Sequence, residues 1–143
     1  MEKTIIKHTI TLELAKAMLD AAIKKSVEIN RQMAIAILDE SGNLKAFCRM
    51  DGAALVSIEI AQNKAYTALS NRLGLPTHEL YDYIKKNPAT LIGFPHINKY
   101  VMFGGGLAIK INGEIIGGIG VSGGSADEDV SVAKAALDVL GQD

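Results

Sequence analysis

Two apolar runs, Leu107–Ile111 and Ile115–Ile119, flank Asn112-Gly113 in the stretch Phe103–Gly124, and this pattern leaves the chain little choice of local fold. Asn-Gly between apolar runs is the strongest short-range hairpin signal, because both residues accept the positive φ of a type I′ turn. Nine of the fourteen glycines fall here, at 104, 105, 106, 113, 117, 118, 120, 123 and 124. Gly104-Gly105-Gly106 precedes the hairpin and Ser122-Gly123-Gly124-Ser125 follows it. A backbone without side chains lets another backbone or a ligand come close. The open end of this hairpin is therefore a candidate contact for either.

The other elements follow from period and punctuation. Thr4–Thr11 reads as a short strand or an extended arm, and Thr11 as the N-cap of a helix over 12–29 with Ala15, Met18, Leu19, Ala22, Ile23 and Ser26 at helical spacing. Met33–Leu38 and Leu44–Met50, joined by the turn residues Asp39–Asn43, make a first hairpin. A helix over 54–71 follows; its face is mostly alanine, so it can lie close on a sheet. Thr77 is the expected cap of a short helix ending by Lys86, and 89–98 reads as a loop between Pro88 and Pro95. Lys99–Phe103 is a strand candidate. Ser125 and Glu128 have the spacing of a capping box for a last helix over 126–140. Tight turns make neighbouring strands antiparallel. The expected architecture is α+β, with one antiparallel sheet of about five strands and helices packed on it.

At 143 residues, with no linker or repeat, residues 1–143 read as a single domain. Fifteen Lys and Arg against sixteen Asp and Glu give no electrostatic reason to expect nucleic acid or an anionic membrane as partner. The single cysteine, Cys48, permits neither an internal disulfide nor a thiolate zinc cluster. The opening MEKTIIKHTIT lacks the apolar core of a signal peptide, and no run approaches a membrane span, so a cytoplasmic location is expected.

Gly118-Ile-Gly-Val-Ser-Gly123 matches the dinucleotide fingerprint as a string. Its context does not. No further strand follows the last helix, and Asp127, Glu128 and Asp129 crowd the helix entrance that would have to receive a pyrophosphate. Of His8, His78 and His96, none has a partner at metal-site spacing. His96, in a loop, is the best placed to reach a ligand, and a single histidine can hold a haem iron from one side. Cys48 shares a face with Leu44 and Met50 and reads as core. Ser122 sits on a glycine turn without an identifiable base. Arg49 and Asp51 end a strand, and Lys64 is a charge on an alanine-rich helix. Two readings of these charges stay open. They form an anion-gripping pair at a pocket mouth, or an internal ion-pair network in which Asp51, Asp39 or Glu59 answers Lys64.

Taken together, Ile37–Ala53, Ile60–Ala68 and Gly104–Asp129 resemble the GlcG/HbpS-like family, described as haem-degrading or haem-binding and found also as the C-terminal domain of PduO-type corrinoid adenosyltransferases. The resemblance spans about Thr11 to Leu140, with the family's motifs in order. It implies a profilin-like fold, with helices on both sides of an antiparallel sheet. It implies a homo-oligomer that binds a small molecule, possible ligands being haem or a corrinoid, in the setting of glycolate, diol or glycerol catabolism. The family pattern falls on Asp39, Arg49, Asp51, Lys64, Gly105, Gly106, Gly120, Ser122, Gly123 and Asp129. The expected ligand-binding set is Arg49, Asp51, Lys64, Gly105, Gly106, Ser122 and Gly123, with His96 as metal ligand. Two departures stand out: Ala108, where the family often has proline, and a first helix without histidine. The alternatives are a metal-independent enzyme acting on a small organic acid, with Asp51 or Asp129 as general acid/base, and an accessory protein without a ligand.

Overall fold

The computed structural model describes residues 1–141. Helix α1 (Leu12–Glu28) leads into strands β1 (Ala34–Asp39) and β2 (Leu44–Arg49). Helices α2 (Ser57–Ser70), α3 (Thr77–Ile84) and α4 (Pro88–Gly93) follow, with a 3-10 turn at Phe94–His96. The chain then forms β3 (Gly106–Ile111), β4 (Glu114–Ser122), α5 (Ala126–Leu137) and a closing 3-10 turn, Asp138–Gly141. The four strands form one antiparallel sheet in the order β2-β1-β4-β3. The two hairpins thus meet along β1 and β4.

Alternation along the strands sorts the core into two sides. Ile35, Ile37, Ile119 and Val121 pack with Ala15, Met18 and Ala22 of α1 and Val132, Ala133 and Ala136 of α5. Ala34 and Ala36 meet Ala61 of α2 on the other side, and Leu38 meets Ala65 and Leu69. The glycines of the central strands explain this second side. Gly106, Gly120 and Ala36 stand in one row across β3, β4 and β1. A Cβ on Gly120 would overlap the carbonyl oxygen of Ala61, one on Gly106 that of Lys64, and one on Gly118 would lie 2.6 Å from that of Ala65. The bare strands let α2 rest its backbone on the sheet. The alanine face of α2 and the glycines of β3 and β4 are two halves of one contact.

Local signals hold where they can be checked locally. Asn112 and Gly113 have φ of 52° and 79°. Thr11 caps α1 by accepting from Leu14 N, and Ser125 and Glu128 form the reciprocal capping box of α5. Cys48 is half-buried beside the α1 layer, and desolvation raises its thiol pKa.

Three expectations are corrected. The sheet has four strands, not five, because Lys99–Phe103 is not a strand. Lys99 has φ of 71°, and the Val101 N–H donates to Thr67 Oγ1 at 2.9 Å on α2 instead of to a neighbouring strand. The expected loop 89–98 contains α4, for which Asn87 accepts from Ala89 N and Pro88 takes the first turn, where a missing N–H costs nothing. Asn87-Pro88 both stops one helix and starts the next. Finally, Thr77 does not cap α3. Its buried hydroxyl accepts from Gly106 N at 3.0 Å and anchors the start of β3. Of the N-terminal segment, left open between strand and arm, the structure shows an extended arm. Ile10 is buried and donates its N–H to Ile116 O at 3.1 Å.

Candidate functional site

The open end of the second hairpin surrounds a buried charge. Lys64 lies on the sheet-facing side of α2, and its ammonium donates to Asp129 Oδ2 and to the Val121 carbonyl, each at 2.8 Å. The Lys64 and Asp129 side chains are 1% and 4% exposed. Asp129 Oδ1 accepts from Gly124 N at 2.8 Å, so both carboxylate oxygens are engaged. The Phe103 ring stands 5.0 Å from the Lys64 ammonium, a cation–π distance. Burial pushes the Lys64 pKa down, opposed by the hydrogen bond and charge of Asp129. Burial likewise pushes the Asp129 pKa up, opposed by Lys64.

The glycines belong to this arrangement. Gly105 has φ of 127°, and a Cβ there would lie 2.9 Å from the Lys64 ammonium and 2.5 Å from Val121 O. A side chain at 105 would displace the amine. Gly106 gives α2 its approach, as above. Ser122 is buried and its hydroxyl lies 3.3 Å from that of Ser57 at the start of α2. Gly123 is exposed in the turn between β4 and α5. Lys64, Gly105, Gly106 and Ser122 therefore lie along α2 between Ser57 and Lys64, with Lys64 reaching the entrance of α5.

Arg49 and Asp51 stand apart from that cluster. Arg49 is exposed on edge strand β2, in register with Ala34, which is in register with Ser122. Two strand spacings, about 10 Å, separate Arg49 from Ser122 along that row. Asp51 is exposed in the turn after β2. None of the expected partners answers Lys64. Asp39 accepts the amides of Ser41 and Asn43 within its own turn, and Glu59 and Asp51 face solvent. Asp129, on which the family pattern also falls, is the partner.

The dinucleotide string lies mostly inside β4, and the α5 entrance is filled by Ser125, Glu128 and Asp129. That settles its reading as a packing motif. His8 is exposed and its Nδ1 lies 2.7 Å from Glu114 Oε2. His78 approaches Glu79 at 3.9 Å. His96 is exposed at the end of the 3-10 turn and forms no hydrogen bond among the described residues. Among these residues no three His, Cys, Asp or Glu side chains gather as a metal cluster. No described helix is long and apolar enough to cross a membrane.

Sequence reasoning missed the role of Thr67. Its hydroxyl lies 2.8 Å from Asn63 O and 3.0 Å from Lys99 O and accepts from Val101 N, fastening the segment that leads to Phe103. Only its position between Ala65 and Ala68 on the buried face hinted at this.

Comparison with known proteins gives a consistent answer. The family described as "Haem degrading protein HbpS-like" matches residues 10–138. An uncharacterised 15.0 kDa protein of Citrobacter freundii, from the dhaT-dhaS intergenic region, is 42% identical over 144 residues, covering 99% of each chain. The crystal structure of Klebsiella pneumoniae ORFY superposes with a TM-score of 0.91 at 37% identity, over 99% of this chain and 97% of that one. The crystal structure of a PduOC–haem complex superposes with a TM-score of 0.81 at 32% identity, over 91% of this chain and 94% of that one. On the match across residues 10–138 and these near-complete superpositions, the chain belongs to the HbpS-like family.

Proposed function

We propose that this protein is a homo-oligomeric binding protein for an iron tetrapyrrole, haem, with His96 as the residue that would hold the iron. The observation that carries the reading is the near-full-length likeness to a relative solved as a haem complex. The residues present fit the group at one place. Helix α1 has no histidine and its Met18 is core, whereas the His96 imidazole is exposed and unengaged among the described residues. Ile92, one helical turn earlier, is 71% exposed and Ile97 is 46% exposed, so apolar surface accompanies the ligand atom. One imidazole is enough to hold haem iron from one side. Bound there, haem would supply redox or ligand-sensing chemistry. Arg49 is exposed and outside any ion pair among the described residues, so its guanidinium is open to a carboxylate.

Lys64 and Asp129 spend their charges on each other, which supports a binding role over catalysis by this pair. The setting in glycolate, diol or glycerol catabolism is part of the same proposal, supported by the dhaT-dhaS location of the Citrobacter relative. Titration of the purified protein with haemin tests the reading. A saturable Soret shift that His96→Ala alters is expected. A shift no larger than that given by a non-binding control protein would overturn it. A corrinoid as the true ligand would instead show saturable changes in the visible bands of added cobalamin.

A further inference from the structure

A second concave site lies away from Lys64, between the loop after α2, helix α3 and the segment around Phe94–Tyr100. It is an open hollow of about 250 Å³ lined by Leu75, Leu80, Tyr83, Phe94 and Tyr100, together with the exposed Arg72. The walls are built, not accidental. Asn71 fixes the loop from inside: its amide donates to Thr67 O at 3.0 Å and Leu75 O at 3.0 Å, while Leu75 N donates to Asn71 Oδ1 at 2.8 Å. The Phe94 and Tyr100 rings pack edge to face with centroids 5.3 Å apart, and Tyr100 meets Tyr66 in the same way at 6.3 Å. Leu80 is buried in the floor.

What these walls leave unused defines an occupant. Arg72 is exposed and makes no ion pair among the described residues, unlike Arg31, which holds Glu128 at 2.8 Å. The Tyr83 and Tyr100 hydroxyls make no hydrogen bond among the described residues either. A pocket with aromatic and leucine walls, a guanidinium at its rim and free phenolic donors suits a molecule with an apolar ring and a carboxylate. Guanidinium takes a carboxylate in a bidentate fork. Size sets the ring count. A cavity of about 150 Å³ lined by such side chains holds benzene. The extra volume here accommodates one small polar substituent, and a tetrapyrrole is far too large.

We infer that the Arg72–Tyr83–Phe94–Tyr100 pocket is a binding site for a single-ring aromatic carboxylate; the inference does not rest on the haem reading, although the Phe94–Tyr100 wall adjoins His96. The ring inserts between Leu80 and the Phe94–Tyr100 pair, and the carboxylate meets Arg72. The test is titration of the full-length, 15N-labelled protein with sodium benzoate, followed by amide shifts. Saturable shifts confined to residues 70–75, 80–84 and 94–101 are expected. Benzyl alcohol, which keeps the ring and removes the charge, should bind at least about tenfold more weakly, and so should benzoate to Arg72→Gln. Arg72 is exposed, so this variant should melt like the parent, and a thermal melt checks that it does. The inference is overturned if benzoate gives no saturable shifts, if the shifts map elsewhere, or if Arg72→Gln binds benzoate as the parent does. Equal affinity for benzyl alcohol and benzoate also overturns it, because the pocket would then be an apolar hollow without carboxylate recognition.

Discussion

Lys64 on α2 and Asp129 on α5 form a buried ion pair 2.8 Å long that ties together helices on opposite sides of the sheet. The ammonium reaches the last residues of β4, where Val121 O takes a second of its protons. The pair is thus a bolt through the glycine-bared end of the hairpin. Its desolvation is opposed by hydrogen bonds to both carboxylate oxygens, the condition under which a buried pair is tolerated.

Removing one partner should expose that cost. Lys64→Met leaves Asp129 buried without its cation, and unfolding by urea should show a loss of about 3–5 kcal/mol. Adding Asp129→Asn to that variant should recover part of the loss, since the carboxamide carries no charge to strand. If Lys64→Met instead holds or gains stability while haemin affinity falls, the lysine serves a ligand and not the fold.

The helix-on-sheet contact makes a steric prediction. Gly120→Ala places a methyl group against the Ala61 carbonyl oxygen, and backbone cannot turn aside as a side chain would. Overpacking of this kind costs about 1–3 kcal/mol or more. Gly113→Ala meets no atom within 4 Å and suffers only from its φ of 79°, worth about 1–2 kcal/mol. Thermal melts of the two variants should therefore rank Gly120→Ala as the more damaging. Equal midpoints would mean that α2 lifts away from the sheet at little cost.

How much of this was legible depended on the range of the interaction. Asn112-Gly113, the Ser125–Glu128 box and the Thr11 cap are satisfied within a few residues, so spacing alone located them. Lys64 could be recognised as a charge in need of a partner. The partner lies 65 residues away, and nothing local distinguishes Asp129 from Asp39 or Asp51. Thr77 and the run before Phe103 failed for the same reason. A threonine after a proline looks like a cap, yet its hydroxyl serves Gly106, 29 residues on. An apolar run looks like a strand, yet its backbone was claimed by Thr67, 34 residues earlier than Val101. The glycines were noticed at once, but their meaning required knowing which helix lay above them. The exposure of His96 was expected from a loop, but it comes from the end of a 3-10 turn after α4. The Arg72 pocket was not legible, because its walls come from three separated segments.

Thr67 itself offers a direct test. Thr67→Val keeps the shape and deletes the acceptor of Val101 N–H and the donor shared by Asn63 O and Lys99 O. The half-buried Val101 amide left unsatisfied should cost about 1 kcal/mol, the low end for such groups. Hydrogen exchange should show the Val101 amide losing protection ahead of the sheet amides. If its protection is unchanged, another group holds the segment in place.

The entrance of α5 sets a pH dependence whose sign can be worked out. Glu128 has a lowered pKa, chiefly because its carboxylate accepts the Ser125 backbone N–H, with smaller help from the Ser125 side chain and Arg31. A carboxylate whose folded pKa lies below its ordinary 4.5 binds its proton more weakly folded than unfolded. Its contribution is therefore complete above 4.5 and is lost as the pH falls through the depressed folded value. Glu128→Gln keeps an oxygen for Ser125 N but cannot titrate. The stability difference between parent and variant should favour the parent at neutral pH, shrink once the pH drops below 4.5, and level off under more acid conditions. Parallel urea titrations at neutral pH and across the acid range read this directly. A difference that stays constant through the acid limb would show that the ionised carboxylate adds nothing to the box, and that the Ser125 hydroxyl bond to Glu128 N at 3.2 Å holds the α5 entrance by itself.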